Sequence, residues 1–137
     1  MRAFVLDASI ALGWMLDRPL PPRAAQARKF IIAGAIPVVP SLWRHEVSNA
    51  VVMSERRGRL TADQVKTLTA DLEEFSDAVQ VDPLMVRLSV LIEAARRTSL
   101  TVYDAAYLEL ASRRKLPLAT LDDGLREAAR RAGLELV

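Results

Sequence analysis

The chain has 137 residues, 51% hydrophobic and 26% charged, with no cysteine and a net charge of +2, which is the composition of one globular domain with a proper core. The absence of cysteine excludes disulfides and thiolate metal sites and fits a reducing cytosol. MRAFVLD is too short for a signal peptide and no apolar run approaches membrane-spanning length, so a cytoplasmic protein without membrane spans is expected.

Ala3 to Leu6 is an apolar run typical of a central parallel strand, and Asp7 follows it directly. Ser9 opens a short apolar helical piece through Leu16, and the prolines of Asp17 to Pro22 make that segment a loop. A helix over Ala24 to Ala33 stops at Gly34, and Ile36 to Val39 reads as a second strand. Pro40 and Ser41 start a long helix ending near Arg57-Gly58. Trp43, Val47, Ala50, Val51 and Ser54 form its apolar stripe, with Glu46 at the stripe's edge. Thr61 to Gln64 is a capping box for a helix reaching Phe75. Ala78 to Val81 reads as a third strand, and Pro83 begins a helix to Arg97. Thr101 caps the next helix, which places Asp104, Leu108 and Ala111 on one face and cannot pass Pro117. Pro117 to Thr120 is a buried fourth strand, and Asp122 and Asp123 follow it. A last helix runs through Arg131 to a stop at Gly133, and Leu134 to Val137 is a closing strand.

Strands alternating with helices predict a three-layer α/β fold with a mainly parallel sheet, one domain over residues 1–137. Ligands of such sheets bind beyond the carboxyl ends of the strands. Asp7 and Asp122 stand at that end of their own strands, and a helix starting there would add Asp104 from its first turn. Spacing leaves open which strands are neighbours.

Taken singly, each acid has an ordinary explanation. Asp104 suits a capping box with Thr101, Asp122 and Asp7 suit helix caps, and Asp123 suits the dipole of the last helix. Glu46 is harder to dismiss, since a carboxylate bordering an apolar stripe needs a partner if buried. His45, the one histidine, offers neither a zinc set nor a nucleophile pair. Jointly the acids say more. Carboxylates gathered in one pocket repel each other unless a cation compensates. Oxygen donors without His or Cys suit Mg²⁺ or Mn²⁺, which activate water and clamp phosphodiester oxygens. The basic residues are 16 Arg against 3 Lys, and the planar guanidinium suits phosphate, although solvated helix faces explain the same excess.

The motifs VLDASI at Asp7, PSLWRHEVSNA at Glu46, TVYDAAYLELA at Asp104 and LATLDDGL at Asp122 resemble, in order and spacing, those of PIN-domain ribonucleases, specifically the VapC-type toxins of toxin–antitoxin pairs. The resemblance covers nearly the whole chain. It implies an acidic quartet of Asp7, Glu46, Asp104 and Asp122, with Asp7, Asp104 and Asp122 as ligands of Mg²⁺ or Mn²⁺. Ser9 and Thr120 match polar positions supporting the first and fourth acids, and Asn49 matches one a turn after Glu46. Asp123 adjoins the quartet, and spacing from Thr120 favours Asp122 as the member that faces the metal. The implied activity is metal-dependent cleavage of RNA. The implied partners are RNA, a cognate antitoxin and a second copy of the chain. Trp14, Met15 and Trp43, if exposed, would anchor an amphipathic helix of the antitoxin; plain core packing is the other reading of all three and the better one for Trp43. The Arg56-Arg57-Gly58-Arg59 turn and the Arg113-Arg114-Lys115 cluster are candidate phosphate contacts.

Other readings fit less well. A haloacid-dehalogenase-like phosphatase needs a second Asp where Ser9 stands, and a receiver domain needs a lysine after a late strand. A PIN-like module that binds RNA or protein without cutting it is the remaining alternative, and an intact quartet weighs against it.

Overall fold

A computed structural model describes all 137 residues. Four strands form one parallel sheet: β1 (Ala3–Leu6), β2 (Ile36–Val39), β3 (Gln80–Val81) and β4 (Leu118–Ala119), in the order β3-β2-β1-β4. Ala3 stands opposite Ile36, Val5 opposite Val38 and Leu118, and Val38 opposite Gln80. Seven helices surround the sheet: α1 (Ala8–Leu16), α2 (Pro22–Ile32), α3 (Leu42–Arg56), α4 (Ala62–Ser76), α5 (Leu88–Thr98), α6 (Val102–Arg114) and α7 (Asp123–Arg131). This is the three-layer α/β architecture expected from the alternating pattern. The chain steps from β1 through β2 to β3 in one direction and returns across the sheet to β4, with α1 packed on α2 and α3, α3 on α4, and α6 on α5 and α7. The chain therefore changes direction between β1 and β4. That pair forms the crevice where open parallel sheets bind ligands.

Short apolar strands with both faces covered fill the core. Phe4, Val5, Leu6, Val38, Val39, Leu118 and Ala119 are fully buried, with Trp43, Tyr107 and Leu110 packed from the helices. Gly13 lets α1 approach the segment after β4. A Cβ there would meet Leu121 Cδ1 at 3.0 Å and Ala24 Cβ at 3.4 Å, so the turn that carries Asp122 is pressed against α1 and α2. The capping box at the start of α4 is present in both directions, Gln64 N–H to Thr61 Oγ1 (3.2 Å) and Thr61 N–H to Gln64 Oε1 (2.8 Å).

Two expectations are corrected, and the two readings of Trp43 are decided in favour of the core. The helix expected from Pro83 begins at Leu88. Asp82 is drawn in by Arg113 and Arg114, and Leu84, Met85 and Val86 line a small cleft against α6 as an extended strap. The expected closing strand over Leu134 to Val137 reduces to a single parallel bridge between Leu118 and Leu136. Trp43 is no surface anchor. It is 1% exposed, 6.0 Å from the Phe75 ring, while Trp14 is half-buried, packs edge-on against Phe75 and donates from Nε1 to the Ala24 carbonyl.

Candidate active site

The ladder between β1 and β4 ends with the Asp7 N–H bonded to the Ala119 carbonyl (3.0 Å). Asp7 thus emerges in the crevice between the two strands and is only 5% exposed. Its Oδ2 accepts from Ser9 Oγ and Thr120 Oγ1, both at 2.6 Å. Oδ1 receives no side-chain hydrogen bond. The two hydroxyls belong to a small network. The Leu121 N–H donates to Ser9 Oγ (2.9 Å) and the Asp122 N–H to Thr120 Oγ1 (3.0 Å). Ser9 and Thr120 therefore hold Asp7 and the Asp122 backbone in one register.

Asp122 caps α7 through Oδ1, which accepts from the Leu125 N–H at 2.7 Å, and it lines the same cleft as Asp7. Capping and site membership coexist in this residue. Asp123 differs: its side chain is 92% exposed and paired with Arg23 at 3.3 Å, so it lies outside the cleft. Thr101 caps α6 by accepting from the Asp104 N–H (3.2 Å). The Asp104 carboxyl makes no return bond and lines the cleft instead. Glu46, from the side of α3, accepts from the buried Tyr107 hydroxyl at 2.6 Å.

These acids share an open cleft of roughly 430 Å³ lined by Asp7, Ser9, Glu46, Asn49, Asp104 and Asp122, with Arg57 at its rim. A larger groove of roughly 780 Å³ between α5, α6 and α7 contains none of the four. Burial pushes the Asp7, Glu46 and Asp104 carboxyls above their ordinary values. Mutual repulsion adds to it: Asp122 raises Asp7, Asp7 and Asp104 raise Glu46, and Asp7 and Asp122 raise Asp104. Hydrogen bonds from Ser9, Thr120 and Tyr107 work in the opposite direction. The ion pairs of the chain involve other acids: Asp82, Glu93, Glu109, Asp123 and Glu127. The oxygen donors lining the cleft, four carboxylates with the Ser9 hydroxyl and the Asn49 amide, match a hard divalent cation. No three of the acids converge closely enough to form a ready coordination sphere. Water and substrate oxygens would complete one, as is usual for Mg²⁺.

One residue of the site carries no functional signal in the sequence. Tyr107 reads as part of the apolar face of α6, and its hydroxyl finds Glu46 only through the packing of α6 against α3. Of the Arg56-Arg57-Gly58-Arg59 turn, expected as a candidate phosphate contact, Arg57 alone lines the cleft. The second basic cluster is corrected. Arg113 is bound to Glu109 and Asp82, which together hold its pKa up, and Arg114 lies beside Asp82. These side chains brace the strap after β3.

With the site defined, its relatives can be placed. A curated ribonuclease, VapC3 from Pyrobaculum aerophilum, is 36% identical over 86 residues, 63% of this chain and 66% of that protein, slightly under two thirds of its length. The crystal structure of PAE2754 from Pyrobaculum aerophilum superimposes with a TM-score of 0.70 at 25% identity, covering 93% of this chain and 79% of that one. FitAcB from Neisseria gonorrhoeae shares the fold, with a TM-score of 0.67 at 16% identity over 97% and 95% of the two chains. The model of the PIN domain family matches residues 4–131, a span that includes all four acids of the cleft, and the chain belongs to that family.

Proposed function

We propose that the chain is a divalent-metal-dependent endoribonuclease and the toxin of a VapC-type toxin–antitoxin pair. One observation carries the reading: four carboxylates from four separate segments line one cleft, and none forms an ion pair with a basic side chain. Such a cluster is costly unless a cation joins it. Its similarity to a VapC ribonuclease supports RNA as the substrate. Asp7, Asp104 and Asp122 would hold Mg²⁺ or Mn²⁺ partly through bound water, since no three of the acids stand close enough to ligate it together, with Glu46 beside them. A bound ion supplies an activated water and neutralises charge on the phosphodiester.

The chain's own residues do the positioning. Ser9 and Thr120 lock the Asp7 carboxyl, the α7 cap locks Asp122, and Tyr107 locks Glu46. Held acids need no reorganisation when substrate arrives. Glu46, whose carboxyl is raised by burial and by its acidic neighbours, is suited to take up the proton released by the attacking water. Asn49 and Arg57 at the cleft rim are placed to contact the strand. Purified protein should cut RNA in Mg²⁺ or Mn²⁺ and stop on addition of EDTA, followed on a gel. Cutting that continues in EDTA rules out the metal mechanism.

Arg57→Ala should weaken RNA binding and reduce the slope of log affinity against log salt by roughly 0.7, the single-strand value for one phosphate contact. An unchanged slope returns Arg57 to the solvated surface. Restraint by an antitoxin belongs to the same proposal. A basic side chain of the partner, inserted among the acids, would cancel the charge that the metal otherwise offsets. Self-pairing, as a homodimer or a dimer of toxin–antitoxin pairs, is proposed with it. The chain alone should arrest growth, and co-expression with the neighbouring gene product should relieve the arrest. A chain that is harmless alone and co-purifies with nothing would overturn the toxin assignment.

A further inference from the structure

Arg126 is a buried cation that the four-acid cleft does not use. On α7 the residues Asp123, Arg126 and Arg130 are spaced by three and four positions and so share one stripe. Arg23, in the first turn of α2, joins that stripe through its contact with Asp123 at 3.3 Å. Arg126 is 9% exposed. Its one hydrogen bond is long, from Nη1 to the Thr120 carbonyl at 3.4 Å, and its Nε is buried with no partner. The carboxylates nearby are committed elsewhere: Asp123 to Arg23, and Glu127 to Arg130 and Arg131. Burial pushes the Arg126 pKa down, Arg23 and Arg130 push it further, and Asp123 alone opposes them.

A buried cation flanked by like charges is destabilising until an anion meets it. The first turn of α2, where Arg23 stands, has no acidic residue and no side-chain cap, so no side chain of its own offsets the positive potential of that helix end. The place is informative. The stripe begins one residue beyond Asp122, and the carbonyl that receives Arg126 belongs to Thr120, whose hydroxyl holds Asp7. A guanidinium fork fits phosphate oxygens in a fixed orientation. Arg126 would be the preset element, and the half-exposed Arg23 and Arg130 would close on the ligand from the rim.

We propose that Arg23, Arg126 and Arg130 form an anion site that holds a backbone phosphate of the RNA strand beside the four-acid cleft. The proposal rests on the ribonuclease reading and names the part of the chain that grips the substrate outside the reacting centre.

The test is binding of a labelled single-stranded RNA to the cleavage-blocked Asp104→Asn chain over a salt series. Adding Arg23→Gln or Arg130→Gln should weaken binding about three- to tenfold and reduce the log–log salt slope by roughly 0.7 for each lost contact. In the otherwise intact chain the same substitutions should raise KM and leave kcat nearly unchanged, since the contact is made equally in ground and transition states. Both residues are half-exposed, so the test stands even if Arg126→Gln fails to fold. Inorganic phosphate alone should raise the thermal midpoint of the wild-type chain, less so that of Arg130→Gln, and compete with RNA. If the variants keep the salt slope and KM of a chain that still cuts RNA, the anion site is overturned and the ribonuclease reading survives. Phosphate binding that the variants abolish while RNA affinity stays unchanged would mean a site for free anions, and would also overturn it. So would variants that spare RNA and weaken only an acidic protein partner. A wild-type chain that neither binds nor cuts RNA overturns the ribonuclease reading itself.

Discussion

Asp7→Asn should abolish RNA cleavage and leave the chain more stable than the wild type. The loss of activity follows from removing a ligand charge at the centre of the cleft. A bound cation contributes several kcal/mol to stabilising a phosphodiester transition state, and each ~1.4 kcal/mol is tenfold in rate, so a fall of roughly 100-fold or more is expected. Asp104→Asn should lose activity for the same reason. The gain in stability follows from burial. Asp7 is 5% exposed and its carboxyl is raised above the ordinary 3.8, first by desolvation and then by Asp122, against the pull of Ser9 and Thr120.

The sign of the pH dependence is fixed by that direction. Because the folded chain holds this proton more tightly than the unfolded one, the Asp7 contribution to stability is full below pH 3.8 and is lost as pH rises through the raised folded-state value. The neutral amide does not lose it. Asp7→Asn should therefore exceed wild type by on the order of 1 kcal/mol at pH 7, the usual scale when an active-site strain is relieved, and the difference should vanish near pH 3 to 4. Urea denaturation of the two chains across pH measures it. A difference that persists in acid, or none at neutral pH, would remove the electrostatic explanation. Mg²⁺ or Mn²⁺ should raise the thermal midpoint of the wild type at neutral pH by binding only the folded state, and should do so much less for the variant.

Trp43→Ala should cost about 3–5 kcal/mol, a third or more of the 5–15 kcal/mol typical of a domain. The indole is 1% exposed and lies 6.0 Å from the Phe75 ring, whose other side meets Trp14 edge-on at 5.3 Å. Removing it opens a cavity where α3 and α4 join the core. Trp43→Phe should cost clearly less, because it keeps an aromatic ring there and deletes an indole N–H that is buried without a partner. Circular dichroism in urea gives both values. If Trp43→Ala were as stable as wild type but weaker toward an antitoxin, Trp43 would be a docking anchor after all.

Much of this protein is legible along the chain. Short apolar runs ending in an acid mark β1 and β4, because a central parallel strand is buried on both faces and its carboxyl end faces the ligand crevice. Thr61-Gln64 and Thr101 mark helix starts, because caps are made within four residues. The four acids could be named from such local signals and the motifs around them. Strand order, by contrast, depends on crossovers of 29 to 40 residues, and it is this order that sets Asp7 beside Asp122. Spacing from Thr120 favours Asp122 over Asp123, but only the turn after β4 determines that Asp122 lines the cleft while Asp123 pairs with Arg23. Trp43 has the same apolar spacing whether it packs on Phe75 or faces a partner. Tyr107 looks like core until Glu46 arrives from α3, 61 residues away. Arg113 and Arg126 carry the same charge in the sequence. Packing ties the first to Glu109 and Asp82 and leaves the second buried with one long hydrogen bond, because the partners of a charged side chain are set by long-range contacts that no spacing along the chain encodes.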